Sequence, residues 1–324
     1  MNIYKTPPVH IIYYVFVGHL QNWIGSVKGQ IEDLCASNLL KNNYLHVCLS
    51  GTSEIMSQAK TLIDQLIASE SPQVDYTYTE QNLYEYPGFT RMYNLAKEHS
   101  DHLYLYLHSK GVSRTKAPMD RSIDNIYLTR LTVWNNTKVF NVFTDCPNIN
   151  KIGYFPSSGG WMWFNFFWVR GSYLAKCREP IMTPRRHYYE DWLGTSNKTG
   201  ISDCYCLYND KIGHYFTPHE ACQTIAHLYN KVNFVCVNQP FTKVTYGVNG
   251  NQIDITEQFS DLLTQKQYIR VGNSLVSEDP CYGTVKQLSI TLQNGLVFKF
   301  REGDYILLCI KQHDNHSCQI DWLL

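Results

Sequence analysis

No run in the 324-residue chain reaches the ~18 apolar residues that a membrane span requires. The first ten residues, Met1 to His10, hold one lysine, two prolines and no apolar stretch. No secretory leader is expected there, and a cytoplasmic location is. Charge of one sign is also missing, because 28 basic residues balance 28 acidic ones. A protein that tracks nucleic-acid phosphates needs a basic excess or stripe, so no nucleic-acid partner is expected. The chain has no Walker loop, no G-x-G-x-x-G, no H-E-x-x-H and no Ser-His-Asp spacing, which removes the common nucleotidase, dinucleotide, zinc-protease and triad readings. Eleven cysteines are scattered from Cys35 to Cys318 without a C-x-x-C pair, and Cys204 and Cys206 have the wrong spacing for a zinc knuckle. Reduced, buried thiols are what remains.

Aromatic residues, by contrast, are plentiful: 24 Tyr, 14 Phe and 7 Trp. They suit a Tyr-rich core as well as a surface on which sugars or bases stack. The first hundred residues alternate buried-strand and helix patterns. His10 to Gly18 and Tyr44 to Gly51 are apolar runs ending in glycine. Between and after them, Gln21 to Ala36 and Glu54 to Ser69 carry apolar residues at helical spacing. Val74 to Thr79, a helix over Gly88 to His99, and a strand over His102 to Leu107 complete the series. Such alternation implies βαβ units, a mostly parallel Rossmann-like sheet, and ligand binding beyond the strand carboxyl ends. Past Asn238 the helical periodicity mostly fades, and short β-like runs alternate with Gly, Asn and Asp-Pro turns, Asn294-Gly295 among them. A boundary near Val237 divides an α/β domain, 1–237, from a small all-β sandwich, 238–324.

Four stretches could carry chemistry. Val17-Gly18-His19 follows the first strand and could hold a base or ribose, or be a plain turn. Thr90 and Arg91 sit in the first turns of a helix, where free N–H groups and a guanidinium suit phosphate. His108-Ser109-Lys110-Gly111 ends a very apolar strand, so Lys110 could neutralise a diphosphate as a point charge. Glu190 and Asp191 are adjacent acids among aromatics, able to act as a general base or simply to favour a helix N-terminus. The aromatic cluster holding Trp161, Asn165 and Trp168 is either core or a sugar-stacking wall.

In order, V-F-V-G-H, L-Y-L-H-S-K-G, N-F-F-W-V-R-G-S-Y-L and E-D-W resemble the motifs of a glycosyltransferase-like family of bacteria and large DNA viruses, over Ile11 to Phe216. The resemblance implies a GT-A-type fold and transfer of a sugar from a nucleotide-diphosphate donor, UDP being slightly favoured, to a glycan or other hydroxyl. It places His108, Ser109 and Lys110 at the donor diphosphate, Asn165 and Trp168 at the sugar or acceptor, and Glu190 or Asp191 as the catalytic carboxylate. Two departures stand out. The D-x-D that holds Mn2+ or Mg2+ in such enzymes occurs nowhere here, so Lys110 could replace the metal charge, while a Mn or Mg ion held by His108 and His214 stays open. Phe164 also stands where the family tends to have glycine. The composition would suit the AT-rich genome of a giant virus. A second resemblance, carried by Y-G-V-N, D-I-T, D-P-C-Y-G and K-Q-L between Val244 and Ile310, is to a β module found at the end of some J-domain chaperone-related proteins. It implies an interaction or dimerisation module without chemistry. The alternatives to an enzyme are a nucleotide- or carbohydrate-binding protein whose catalytic apparatus has decayed, and an assembly protein.

Overall fold

The computed structural model describes residues 7–18, 23–109, 121–185, 187–196, 198–237, 241–265 and 268–310. The chain divides into two compact units, Met1–Ile225 and Ala226–Leu324. In the first, β1 (Val9–Phe16), α1 (Ile24–Ala36), β2 (Tyr44–Ser50), α2 (Ser53–Ile67), β3 (Gln73–Thr79), α3 (Tyr86–Glu98) and β4 (Leu103–His108) alternate as the apolar pattern predicts. α4 (Ile123–Val133), α5 (Asn136–Asp145), β5 (Lys151–Gly153), β6 (Phe167–Arg170), α6 (Gly171–Leu174), α7 (His187–Thr195), β7 (Cys204–Cys206) and β8 (Lys211–Ile212) follow, and α8 (Pro218–Lys231) begins in the first unit and ends in the second.

One eight-stranded sheet runs in the order β3-β2-β1-β4-β6-β5-β7-β8. β1 to β4 are mutually parallel, and β6 is antiparallel to both of its neighbours. This is the mixed α/β architecture with a large, mostly parallel sheet that the sequence predicts. Chain order reverses between β1 and β4, so a crevice opens beyond their carboxyl ends. Seven of the eight residues of β1 are buried, as a central strand covered on both faces must be. Ser109 closes the β1–β4 pair at that edge: its N–H donates to Tyr14 O at 3.0 Å, and its hydroxyl accepts from Phe16 N at 2.9 Å. Gln30 of α1 braces the same end, donating to His108 O and to Thr129 Oγ1 at 3.0 Å each. Asp33 of α1 is 3% exposed and pairs with Arg121 at 2.7 Å and Arg130 at 2.9 Å, tying α1 to α4. Among the described residues no helix is long and apolar enough to cross a membrane.

The second unit contains β9 (Val232–Val237), β10 (Phe241–Val248), β11 (Asn251–Asp254), α9 (Thr256–Gln265), β12 (Tyr268–Arg270), β13 (Gln287–Leu292), β14 (Val297–Arg301) and β15 (Tyr305–Ile310). β11-β10-β13-β14 form an antiparallel sheet, and β12-β15-β9 a second one in which β15 and β9 are parallel. β9 lies before the change in composition but hydrogen-bonds along β15, so the unit begins upstream of the boundary read from sequence. Gly295, at φ +83°, makes the expected β13–β14 turn. The unit is not purely β. α9 forms because Asp254 Oδ1 accepts from Thr256 N at 3.0 Å, while Ile255 and Phe259 enter the core shared by both sheets. The module's motif residues meet in one network: Asp279 Oδ1 lies 3.0 Å from Lys286 Nζ, Asn273 donates to Asp279 at 2.9 Å, and Tyr246 OH lies 3.1 Å from Asn273. Burial pulls the Lys286 ammonium down, yet Asp279 and Glu302 outweigh it and hold it above the ordinary lysine range.

Candidate active site

β4 delivers His108 to the carboxyl edge of the sheet, beside the first turn of α3, whose N-cap position is Glu85. A 3-10 turn at Trp163–Asn165 precedes β6 and faces them. The first turns of α7 and α8 contribute Glu190, Pro218 and Cys222. Together these residues line a cleft of about 230 Å3. Five segments thus converge next to the β1/β4 crossover.

The turn at its wall is held in an uncommon backbone state. Phe164 and Asn165 have φ of +73° and +54°, a conformation that costs an L-residue roughly 1–2 kcal/mol. Asn165 is 2% exposed, and its Nδ2 donates to Tyr189 O at 3.2 Å, fastening the turn to α7. Phe164 O accepts from His108 Nε2 at 2.9 Å. That bond places a proton on Nε2 and turns Nδ1 towards Glu85 Oε1, 3.7 Å away. Trp163 Nε1 donates to Phe216 O at 2.8 Å, and Trp161 meets the Trp163 ring edge-on at 5.6 Å.

Glu190 Oε2 lies 2.9 Å from His187 Nδ1. Asp191, one residue on, does not line the cleft; burial, moderated by Arg185, raises its carboxyl above the ordinary range. Glu85 was not anticipated from sequence. Its only signal is a glutamate just ahead of Tyr86-Pro87 at a helix start, where a carboxylate favours the dipole. Below it, Tyr106 is fully buried; desolvation, then the Glu85 charge, push its hydroxyl far above the tyrosine range.

The other anticipated residues go elsewhere. Val17 is fully buried and only its backbone is engaged, donating to Ser50 O at 2.9 Å, and Gly18 turns the chain at φ +39°. Thr90 Oγ1 is buried without a hydrogen-bond partner. The expectation for Arg91 is corrected: it points to the opposite end of the sheet and pairs with Asp75 Oδ2 at 2.5 Å. There Asp75 accepts from His46 Nδ1 at 2.7 Å, His46 Nε2 meets His10 Nδ1 at 2.8 Å, and His10 Nε2 meets His102 Nδ1 at 2.8 Å. α3 runs antiparallel to the strands, so a side chain past its first turn faces their amino ends. Trp168 is likewise corrected from pocket wall to core: it is fully buried, and its Nε1 donates to Thr132 O at 3.0 Å. His214 stacks edge-on with Phe216 and does not line the cleft. His19 and Lys110 lie outside the described residues.

Among the described residues no three His, Cys, Asp or Glu side chains are grouped to hold a metal ion, and His108 Nε2 is already committed to a carbonyl.

No protein-family model matches the chain, and neither does any curated protein. Among solved structures it is similar to a mannosyltransferase of Pyrobaculum calidifontis in complex with GDP-Man and Mn2+, at 8% identity and a TM-score of 0.33, over 53% of this chain and 46% of that one. It is also similar to a structure assigned as a nucleotide-diphospho-sugar transferase from Desulfovibrio desulfuricans G20, at 13% identity and a TM-score of 0.29, over 52% of this chain and 68% of that one. The chain spans less than half the length of the mannosyltransferase. Similarity this shallow establishes neither a shared activity nor a shared ligand.

Proposed function

We propose that the first unit is a glycosyltransferase, taking a nucleotide-diphosphate sugar at the carboxyl edge of β1 and β4 and passing the sugar to a hydroxyl acceptor in the cleft. One observation carries this reading. His108, Asn165 and Glu190, each singled out from a different motif, open on the same cleft beside the sheet's switch point. In the reaction the bond from the anomeric carbon to the diphosphate breaks, a bond to the acceptor oxygen forms, and the acceptor proton passes to Glu190. The imidazole of His187 steadies that carboxylate. Trp163 and Phe164 offer apolar faces to a sugar ring. With Arg91 held by Asp75, Lys110 is the cation assigned to the departing diphosphate.

A thermal-shift screen of UDP, GDP, CDP and TDP and their sugars, with and without Mn2+, tests the donor half. A ligand at a hundredfold excess over Kd stabilises the folded state by about 2.7 kcal/mol. One nucleotide should raise Tm in the wild type and not in Lys110→Ala. Glu190→Gln should keep that shift and lose turnover by about 100-fold or more, while Asp191→Asn should lose far less. Binding without turnover under every condition would leave a binding protein, and no shift with any nucleotide would overturn the reading altogether.

A further inference from the structure

Between α6 and α7 the chain presents two adjacent apolar side chains to solvent: Ile181 and Met182 are each 58% exposed. They are not on a floppy loop. Arg178 N donates to Ser196 O at 3.3 Å, Trp192 Nε1 donates to Arg178 O at 3.2 Å, and Ile181 N donates to Tyr188 OH at 3.2 Å. Tyr189 OH, donating to Ile181 O and accepting from Thr183 N, completes the clamp. The apolar pair is therefore held out rigidly, against α7, the helix that brings Glu190 to the cleft.

The surroundings are cationic. Lys176, Arg178 and Arg185 are exposed, with Glu179 the one acid between them along the segment, Asp191 of α7 within the field of Arg185, and Glu98 beside Lys97 in the chain. Lys97 joins them from α3, its Nζ donating to Ala175 O at 2.7 Å. Among the described residues, none of these four cations is ion-paired. Apolar side chains that protrude amid basic ones match the boundary of an anionic bilayer, where the former enter the acyl edge and the latter meet headgroups. A second copy of the chain fits poorly, because a two-fold contact would set these like charges against one another. A peptide would need a groove, and here the apolar groups stand proud of the surface.

We propose that segment 176–185, with Lys97, docks the protein on an anionic lipid surface. The proposal goes beyond the transferase reading and stands or falls separately, since vesicle binding requires no turnover.

The test is co-sedimentation of the full chain with phosphatidylcholine vesicles, either pure or containing about one third phosphatidylserine. Wild type should sediment with the anionic vesicles, lose binding as salt is raised, and ignore the neutral ones. Ile181→Ser/Met182→Ser and, separately, Arg178→Glu/Arg185→Glu should each weaken binding by about tenfold or more. Their Tm should match wild type, because the altered side chains point to solvent. A wild type that stays in the supernatant overturns the proposal. So does undiminished binding by both variants, or binding to poly-glutamate but not to vesicles. The nucleotide shift, measured in the same samples, reports on the transferase reading independently.

Discussion

Asp33 shows how much can rest on a single buried charge. It is almost fully enclosed and meets two guanidinium groups, those of Arg121 and Arg130. Asp33→Ala would strand both cations in a low-dielectric setting, so a loss of about 3–5 kcal/mol is expected in urea unfolding at neutral pH. At Phe164 the issue is backbone, not charge. With φ at +73°, a glycine there escapes the strain that any side chain incurs. Phe164→Gly should therefore be more stable than Phe164→Ala by about 1 kcal/mol, the reverse of the usual order, as thermal melts of the two variants would show. From the sequence, Phe164 registered as a departure from a pattern, while its left-handed turn was invisible.

At the scale of elements, α3 links two sites with opposite demands. Its first turn sets Glu85 beside His108 in the cleft, while Arg91 reaches the imidazole chain at the amino ends of β1, β2 and β4. Asp75 accepts from His46 Nδ1, which leaves each imidazole Nε2 to accept from the next Nδ1–H, so the chain is satisfied when neutral. Burial, then the fields of His46, His102, His99 and Arg91, lowers His10 from its ordinary 6.5 to about 3. Between those values the unfolded chain holds a proton that the folded one does not. This contribution to stability is thus complete above pH 6.5 and declines as pH falls toward 3, by at most about 1.4 kcal/mol per unit. Asp75 adds to the decline further down: burial would raise its carboxyl, but His46 and Arg91 outweigh that and hold it low. Its share is present above the ordinary carboxylate range and is lost as pH falls through the depressed value. Urea unfolding at pH 7, 6, 5 and 4 should show this fall. His10→Phe should start from lower stability, having lost two hydrogen bonds, and respond less steeply. Sequence periodicity located α3 and all four strands, yet it treated Arg91 as a donor residue. Helical spacing tells which side chains share a face, but not which end of the sheet that face overlooks.

For the whole molecule, every residue lining the cleft falls within the first compact unit. A chain ending at Lys231, which keeps α8 whole, should fold and show the same nucleotide-dependent rise in Tm as the full protein. Loss of that response on truncation would mean the second unit takes part in donor binding. The sequence by itself determined the alternation of apolar strands and amphipathic helices, the mostly parallel sheet, and the β-rich character of the second unit. These follow from local periodicity, turn chemistry and propensity, which neighbouring residues carry among themselves. Tertiary structure alone decided that β9 joins the second unit, that Asp254 starts a helix inside it, that Trp168 is core, and that Glu85 stands beside His108 while Asp191 lies off the cleft. Each of these depends on contacts between residues far apart in the chain, where a side chain's role is set by what packing brings opposite it.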